Sequence, residues 1–312
     1  MKRFLKRFRW FNELNHLRHQ AILKGRINKF VIDPYVANDV QKKLSLDVKT
    51  LRLVDLPAEH SFNSSMIHTN CPRNQEYWQY LLRGYDGEAF MKEAIQKVRA
   101  FTMCTYDALL NICAVVRYLE EGNIKGAFVE TGVCSGGSTA VMALASLKWG
   151  KGNRHFHLFD SFEGIPNPQL EKDYCDWMAK DWAIPAEQCD GKLVSSGALI
   201  ASQADAEKVL FDIAKYPKDL ATFHVGWFQN TVPVAAKTMG PIALLRLDGD
   251  LYESTLVCLR NLYPLVNKGG FIIIDDWSLK GCRTACEEFF KEIGIRPFIH
   301  YADFTVRYFV KD

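Results

Sequence analysis

Phe128-Val129-Glu130-Thr131-Gly132-Val133-Cys134-Ser135-Gly136-Gly137-Ser138-Thr139 is the stretch on which the fold turns. Residues 127–130 form a short apolar run of strand character that breaks into glycines. Residues 138–147 are small and apolar, suited to a helix packed on that strand. Glycines between a strand and a helix let the backbone turn sharply and let a ligand approach the main chain, while the helix start offers unpaired N–H groups. About thirty residues on, a second strand, 155–159, ends in Asp160. An acid at that point grips a ribose diol in Rossmann-like folds. The pair of signals predicts nucleoside binding. The spacing is E-x-G-x-x-x-G rather than G-x-G-x-x-G, which turns the expectation from a nicotinamide dinucleotide towards S-adenosylmethionine.

Outward from this unit, further strands are predicted at 221–225, 242–247 and 270–274, with helices at about 203–214, 231–238, 254–264 and 281–293. The strand at 270–274 is β-branched and free of polar residues, as fits burial on both faces. Strands alternating with helices argue for a doubly wound α/β domain with a mostly parallel sheet and right-handed crossovers. The tail, 298–301 then 304–310, reads as a closing antiparallel hairpin. Upstream, the spacing of Leu109, Leu110, Cys113, Val116 and Leu119 is helical within 75–121, and Gly122 is expected to supply the C-cap at the Glu120-Glu121-Gly122-Asn123 stop. The expected division is an N-terminal extension, 1–75, basic at its start and partly helical, and a catalytic domain, 76–312.

Composition bounds the rest. The chain has 312 residues, 48% hydrophobic and 24% charged, enough for a substantial core. No apolar run approaches the ~18–20 residues of a membrane-spanning helix. The basic start lacks an apolar segment followed by a small-residue cleavage site, so secretion is not expected. Nine cysteines without a CxxC pair argue against a disulfide framework or zinc knuckle and suit a reducing cytoplasm. Residues 1–30 carry nine Lys/Arg against Glu13 alone, a net +8, which leaves −5 for the rest of a chain whose total is +3. That total gives no support for nucleic-acid binding. On a helical wheel, Phe4, Leu5, Phe8 and Phe11 oppose Lys2, Arg3, Lys6 and Arg9. Such a segment suits peripheral contact with an anionic membrane through residues 1–12, docking on a second subunit, or an exposed arm.

Two acidic pairs carry the second chemical signal. Asp248-Gly249-Asp250 follows the strand at 242–247, and Asp275-Asp276 follows the strand at 270–274. Ligands bind beyond the carboxyl ends of strands in such sheets, so four carboxylates are expected on one rim. Clustered anions repel unless a cation relieves them. Hard oxygen ligands in an open site suggest Mg²⁺ or Mn²⁺. The plainer alternative is that these acids cap the following helices. Asp248-Gly249-Asp250 alone also fits the metal-holding acid pair of nucleotide-sugar glycosyltransferases. Asp250, two residues past Asp248 on an extended strand end, is expected to point to the same side and to serve as base. His68, His224 and His300 are further candidate bases, each more ordinarily a surface or core histidine. Aromatic residues Tyr174, Trp177 and Trp182 within 166–201 suit either a lid stacking on sugar faces or the core of a helical insertion.

Taken in order, these motifs resemble the macrocin O-methyltransferase type of S-adenosylmethionine-dependent methyltransferases, which methylate sugar hydroxyls in the presence of Mg²⁺. The resemblance runs from about Thr102 to the C-terminus. It is carried by residues 128–133 with Gly136-Gly137, by Phe159-Asp160-Ser161-Phe162-Glu163-Gly164-Ile165-Pro166, and by Gly226-Trp227-Phe228-Gln229-Asn230-Thr231. Asp248-Gly249-Asp250-Leu251-Tyr252-Glu253-Ser254-Thr255 and Gly269-Gly270 with Asp275-Asp276 complete it. It implies a class I methyltransferase fold. Glu130, Thr131, Gly132, Gly136 and Ser138 would then serve the methionine part of the cofactor, Asp160 the ribose, and Ser161 with Phe162 the adenosine. Asp248, Asp275 and Asp276 would hold the metal, with Asp250 as general base. The implied acceptor is a carbohydrate-bearing small molecule or glycan; a catechol-type methyltransferase shares the same fold and metal logic. Cys134-Ser135 stands where the family often has Trp-Arg, and Asn230 where it often has an acid.

Overall fold

Ala127–Thr131 (β1) is buried at every residue, and its side chains divide between two cores: Phe128 faces one and Val129 the other. That alternation is the period-2 geometry of a strand covered on both sides. The computed structural model describes residues 87–168, 170–173, 189 and 192–312. One compact unit runs Leu82–Asp312; the expected boundary near residue 75, the segment 1–12, His68, Tyr174, Trp177 and Trp182 lie outside the described residues.

Before β1 come Glu88–Val98 (α1) and Tyr106–Glu121 (α2). After it follow Gly137–Trp149 (α3), Phe156–Asp160 (β2), the short Leu170–Asp173 (α4), Gln203–Glu207 (α5), Ala221–Val225 (β3) and Phe228–Ala235 (α6). Ile242–Leu247 (β4), Tyr252–Leu262 (α7), Val266–Ile274 (β5), Lys280–Glu292 (α8), His300–Tyr301 (β6) and Arg307–Val310 (β7) complete the chain. The sheet has seven strands in the order β3-β2-β1-β4-β5-β7-β6. β1 to β5 are parallel, and β7 runs antiparallel to β5 and to β6, forming the expected C-terminal hairpin. α1, α2 and α3 share one core with Phe128, Phe156 and Leu244; α7 and α8 share the other with Val129, Leu245 and Ile272.

The direction of winding reverses between β1 and β4, which are neighbours although far apart in sequence. Crossovers leave such a point to opposite sides and open a crevice there. The register levels the strand ends: Thr131 pairs with Phe159 and with Leu247, and Leu247 pairs with Ile274. Gly132, Asp160, Asp248 and Asp275 therefore emerge on one rim.

The local expectations hold with three corrections. The helical stretch ending at Glu121 is interrupted at 102–105, where Thr105 leaves helical geometry and accepts the Ala108 N–H at 3.0 Å to cap α2. At the end of α2, Gly122 stays right-handed (φ −75°) and Asn123 takes the left-handed turn (φ 53°). Asn tolerates that region because its side chain bonds locally; here Asn123 accepts from Lys125 at 2.7 Å. The helix expected over 203–214 is α5 continued as a π-helical turn at Lys208–Ile213. The seven described cysteines are free. Among the described residues no helix is long and apolar enough to cross a membrane.

Candidate active site

The turn after β1 is shaped by contacts that exclude side chains. Gly132 adopts φ 93°, and a Cβ there would stand 1.8 Å from the Asp248 carbonyl oxygen. The Asp248 N–H in turn donates to the Thr131 carbonyl at 2.9 Å. Gly136, left-handed at φ 83°, starts α3 against Ala206. Cys134 is also left-handed (φ 50°), and its N–H donates to Asp160 Oδ2 at 2.7 Å. Asp160 Oδ1 accepts the Phe162 N–H at 2.7 Å. The Asp160 carboxylate thus ties the glycine turn to the end of β2. Burial pushes its pKa up, and the N–H groups of Cys134, Phe162 and Val133 oppose that shift.

A cleft at the rim is lined by Gly132, Cys134, Asp160 and Ser161 on the β1–β2 side and by Asp248, Gly249, Asp250 and Ser254 on the β4 side. Met103, Gly164, Ile165, Pro166, Leu199, Trp227, Phe228 and Gln229 complete its walls. The flanks of the long 166–201 segment are zipped together at this edge: Ile165 donates to the Ala198 carbonyl at 3.0 Å and Asn167 to that of Val194 at 2.8 Å.

Not every candidate cofactor residue reaches the cleft. Glu130 is fully buried beneath it, its carboxylate accepting from Arg246 Nη1 at 2.9 Å and from Thr139. Ser138 is buried and directed at Glu130. Thr131 contributes its carbonyl to Asp248, with its side chain turned to the Cys258 thiol. Ser161 braces the next turn, donating to the Gly164 carbonyl at 3.0 Å. Phe162, left-handed at φ 56°, packs toward Phe223. His224 lies off the cleft, stacked on Phe159 with ring centroids 4.2 Å apart and paired to His157 at 3.1 Å. His300 stacks on Tyr308 in the terminal hairpin. Asn230 is exposed and outside the cleft lining.

The acid pairs converge as the register requires. Asp248, Asp275 and Asp276 each offer an oxygen, all within 4.8 Å of one another, the sole such group of three potential ligands among the described residues. Asp250 reaches the cleft by a different route from the one expected. β4 ends at Leu247 and Asp250 is left-handed (φ 56°), so strand alternation does not relate it to Asp248. Its N–H donates to Asp276 Oδ2 at 2.9 Å, which fixes the turn. Burial pushes Asp275 up to about 7 against the pull of Arg246. Burial, then the charges of Asp250, Asp248 and Asp275, push Asp276 well above the usual carboxylate range. Such crowding is relieved by a cation, and three convergent carboxylates fit a hard divalent ion.

The residue that sequence reasoning missed is Arg246. It is fully buried, donates through Nη1 to Glu130 and, at 2.8 Å, to Asp248 Oδ2, and through Nη2 to Asp275 Oδ1 and to Cys104 Sγ at 3.2 Å. A signal was present: Arg interrupts the otherwise apolar run Ile242–Leu247, and a charge on a buried strand requires partners.

The sequence profile of the macrocin-O-methyltransferase (TylF) family matches residues 92–311. Over 206 residues the chain is 34% identical to the 8-demethyl-8-(2,3-dimethoxy-α-L-rhamnosyl)-tetracenomycin-C 4′-O-methyltransferase of Streptomyces olivaceus, covering 66% of this chain and 74% of that one. It is 31% identical over 215 residues to the mycinamicin III 3″-O-methyltransferase of Micromonospora griseorubida, covering 66% and 79%. The solved O-methyltransferase NovP superposes with a TM-score of 0.57 at 28% identity, covering 68% of this chain and 82% of its own. The chain therefore belongs to the macrocin O-methyltransferase family and is an S-adenosylmethionine-dependent O-methyltransferase.

Proposed function

We propose that this enzyme methylates a hydroxyl of a sugar carried by a small molecule or glycan, with Mg²⁺ or Mn²⁺ held by Asp248, Asp275 and Asp276 and with Asp250 as the base. The observation that carries this reading is that Asp248 lines the cleft together with Gly132 and Asp160 and also belongs to the three-acid group with Asp275 and Asp276, at the switch point of the sheet. Two relatives named for 4′-O- and 3″-O-methylation, one of a rhamnosyl compound, support a sugar acceptor.

Each part has a task in the chemistry. The main chain at Gly132 and the Asp160 end of β2 form the wall on which the cofactor's nucleoside and amino-acid parts would lie. A sugar hydroxyl is a weak nucleophile, and a divalent ion held by Asp248, Asp275 and Asp276 would, when bound, supply the positive charge that lowers its pKa. Asp250 faces the same cleft and would accept the hydroxyl proton as the methyl moves. Trp227 and Phe228 offer apolar surface for the CH faces of a sugar ring.

The test is methyl transfer from isotope-labelled S-adenosylmethionine to a panel of glycosylated acceptors and simple catechols, with and without EDTA. Label on glycosylated acceptors, lost with EDTA and restored by Mg²⁺ or Mn²⁺, is the expected result. Transfer confined to catechols, or undiminished by EDTA, would overturn the sugar or the metal part of the reading respectively.

A further inference from the structure

Each of the three proposed metal ligands has one carboxylate oxygen already taken by a donor from this chain. Asp248 Oδ2 accepts from Arg246 Nη1 at 2.8 Å, Asp275 Oδ1 accepts from Arg246 Nη2, and Asp276 Oδ2 accepts from the Asp250 N–H at 2.9 Å. No other described residue hydrogen-bonds these three carboxylates. The other oxygen of each acid, Asp248 Oδ1, Asp275 Oδ2 and Asp276 Oδ1, accepts from none of these donors.

The donors are rigidly held. Arg246 has no exposed surface and is anchored from behind by Glu130, which is itself fully buried and bonded to Thr139. Its planar guanidinium presents donors in a fixed fork, so it can hold Asp248 and Asp275 at a set spacing. The Asp250 N–H is aimed by the left-handed turn at that residue. A donor fixed on one oxygen of each carboxylate weakens that oxygen as a ligand and holds the carboxylate against turning both oxygens to one ion, which disfavours bidentate coordination. Three single oxygens then leave three further positions for water or substrate, the six-coordinate demand of Mg²⁺ and Mn²⁺. Ca²⁺ takes six to eight oxygens and commonly a bidentate carboxylate, which this arrangement disfavours.

Resting on the metal reading above, we propose that Arg246 is a positioning residue that sets metal selectivity, by enforcing one-oxygen coordination from Asp248 and Asp275 and so favouring small six-coordinate cations over Ca²⁺. It touches neither cofactor nor acceptor in this role. It acts through the two aspartates.

The experiment measures Mn²⁺ binding to the full chain from the electron paramagnetic resonance of free Mn²⁺, with Ca²⁺ as competitor and S-adenosylhomocysteine present. Wild type should hold Mn²⁺ at least tenfold more tightly than Ca²⁺. Arg246→Met should lose at least tenfold of that preference, and Arg246→Lys, whose single ammonium cannot span both aspartates as a fork, should fall between. Folding of both variants is followed by circular dichroism. An unchanged Ca²⁺-to-Mn²⁺ ratio in a folded variant overturns the role of Arg246 while leaving the metal site standing. Wild type that binds Ca²⁺ as tightly as Mn²⁺ overturns it without any variant. Wild type that binds no Mn²⁺ overturns the metal reading and this inference with it.

Discussion

The α-carbon of Gly132 abuts the main chain of Asp248 so closely that a Cβ built on it would stand 1.8 Å from the Asp248 carbonyl oxygen. The two residues follow the adjacent parallel strands β1 and β4, whose last paired residues are Thr131 and Leu247. The glycine turn after β1 and the Asp248 loop after β4 are therefore one packed unit. A change at either displaces the other.

Gly132→Ala follows directly. The contact is with backbone, which cannot rotate away, and φ 93° is unfavourable for any side chain. Strain of about 1–3 kcal/mol adds to overpacking of about 1–3 kcal/mol. A drop in thermal midpoint together with loss of S-adenosylhomocysteine binding by calorimetry is expected. Wild-type stability and affinity in this variant would contradict the packed unit.

Asp250→Asn separates chemistry from structure. Asn is among the few residues that accept the left-handed region, and the backbone N–H that braces Asp276 is retained. Thermal stability and cofactor affinity should stay near wild type. Turnover should fall about 10²–10⁴-fold, the usual contribution of a positioned base. Steady-state kinetics under saturating cofactor decides it; a turnover within about threefold of wild type, well short of that contribution, would remove Asp250 from the base role.

The histidines on β2 and β3 predict an acid-side stability slope. Burial, then the neighbouring charges of His155 and His224, hold His157 down at about 4, below the ordinary 6.5. His155 and His224 are lowered by burial as well, with Asp219 beside His155 opposing its shift. Between about 4 and 6.5 the unfolded chain binds a proton at His157 that the folded chain does not, so this residue makes stability rise with pH across that window. The contribution is fully present above the unfolded value and is lost as pH falls through the folded one. His157→Gln should flatten the slope of urea-unfolding stability between pH 4 and 6.5 and leave methyl transfer unchanged, because the ring lies off the cleft. An unaltered slope would refute the linkage.

Much of the architecture was legible because hydrophobic period and turn chemistry are local. The apolar run at 127–130, the glycines after it and the β-branched 270–274 segment each announce their own backbone state. Parallel pairing and the terminal hairpin follow from their alternation and order. The places of Asp248 and Asp275 on the rim were legible for the same reason, since each directly follows a predicted strand, and Asp276 comes one residue later. The interruption at 102–105 and the left-handed Asn123 were not, because they depend on which side chains find hydrogen-bond partners nearby.

The amino-acid sequence by itself thus determined the class of fold, the rim on which ligands would lie and the acids that would gather there. Only the tertiary structure decided which oxygen of each acid accepts a hydrogen bond, that Asp250 reaches the cleft through a left-handed turn, and that Glu130 is committed to Arg246 beneath it. Those outcomes depend on strands brought together across more than a hundred residues. A hydrogen bond such as Arg246 to Glu130, 116 positions apart, leaves no periodic trace in the chain. The only sign it leaves is a lone charge in an apolar strand.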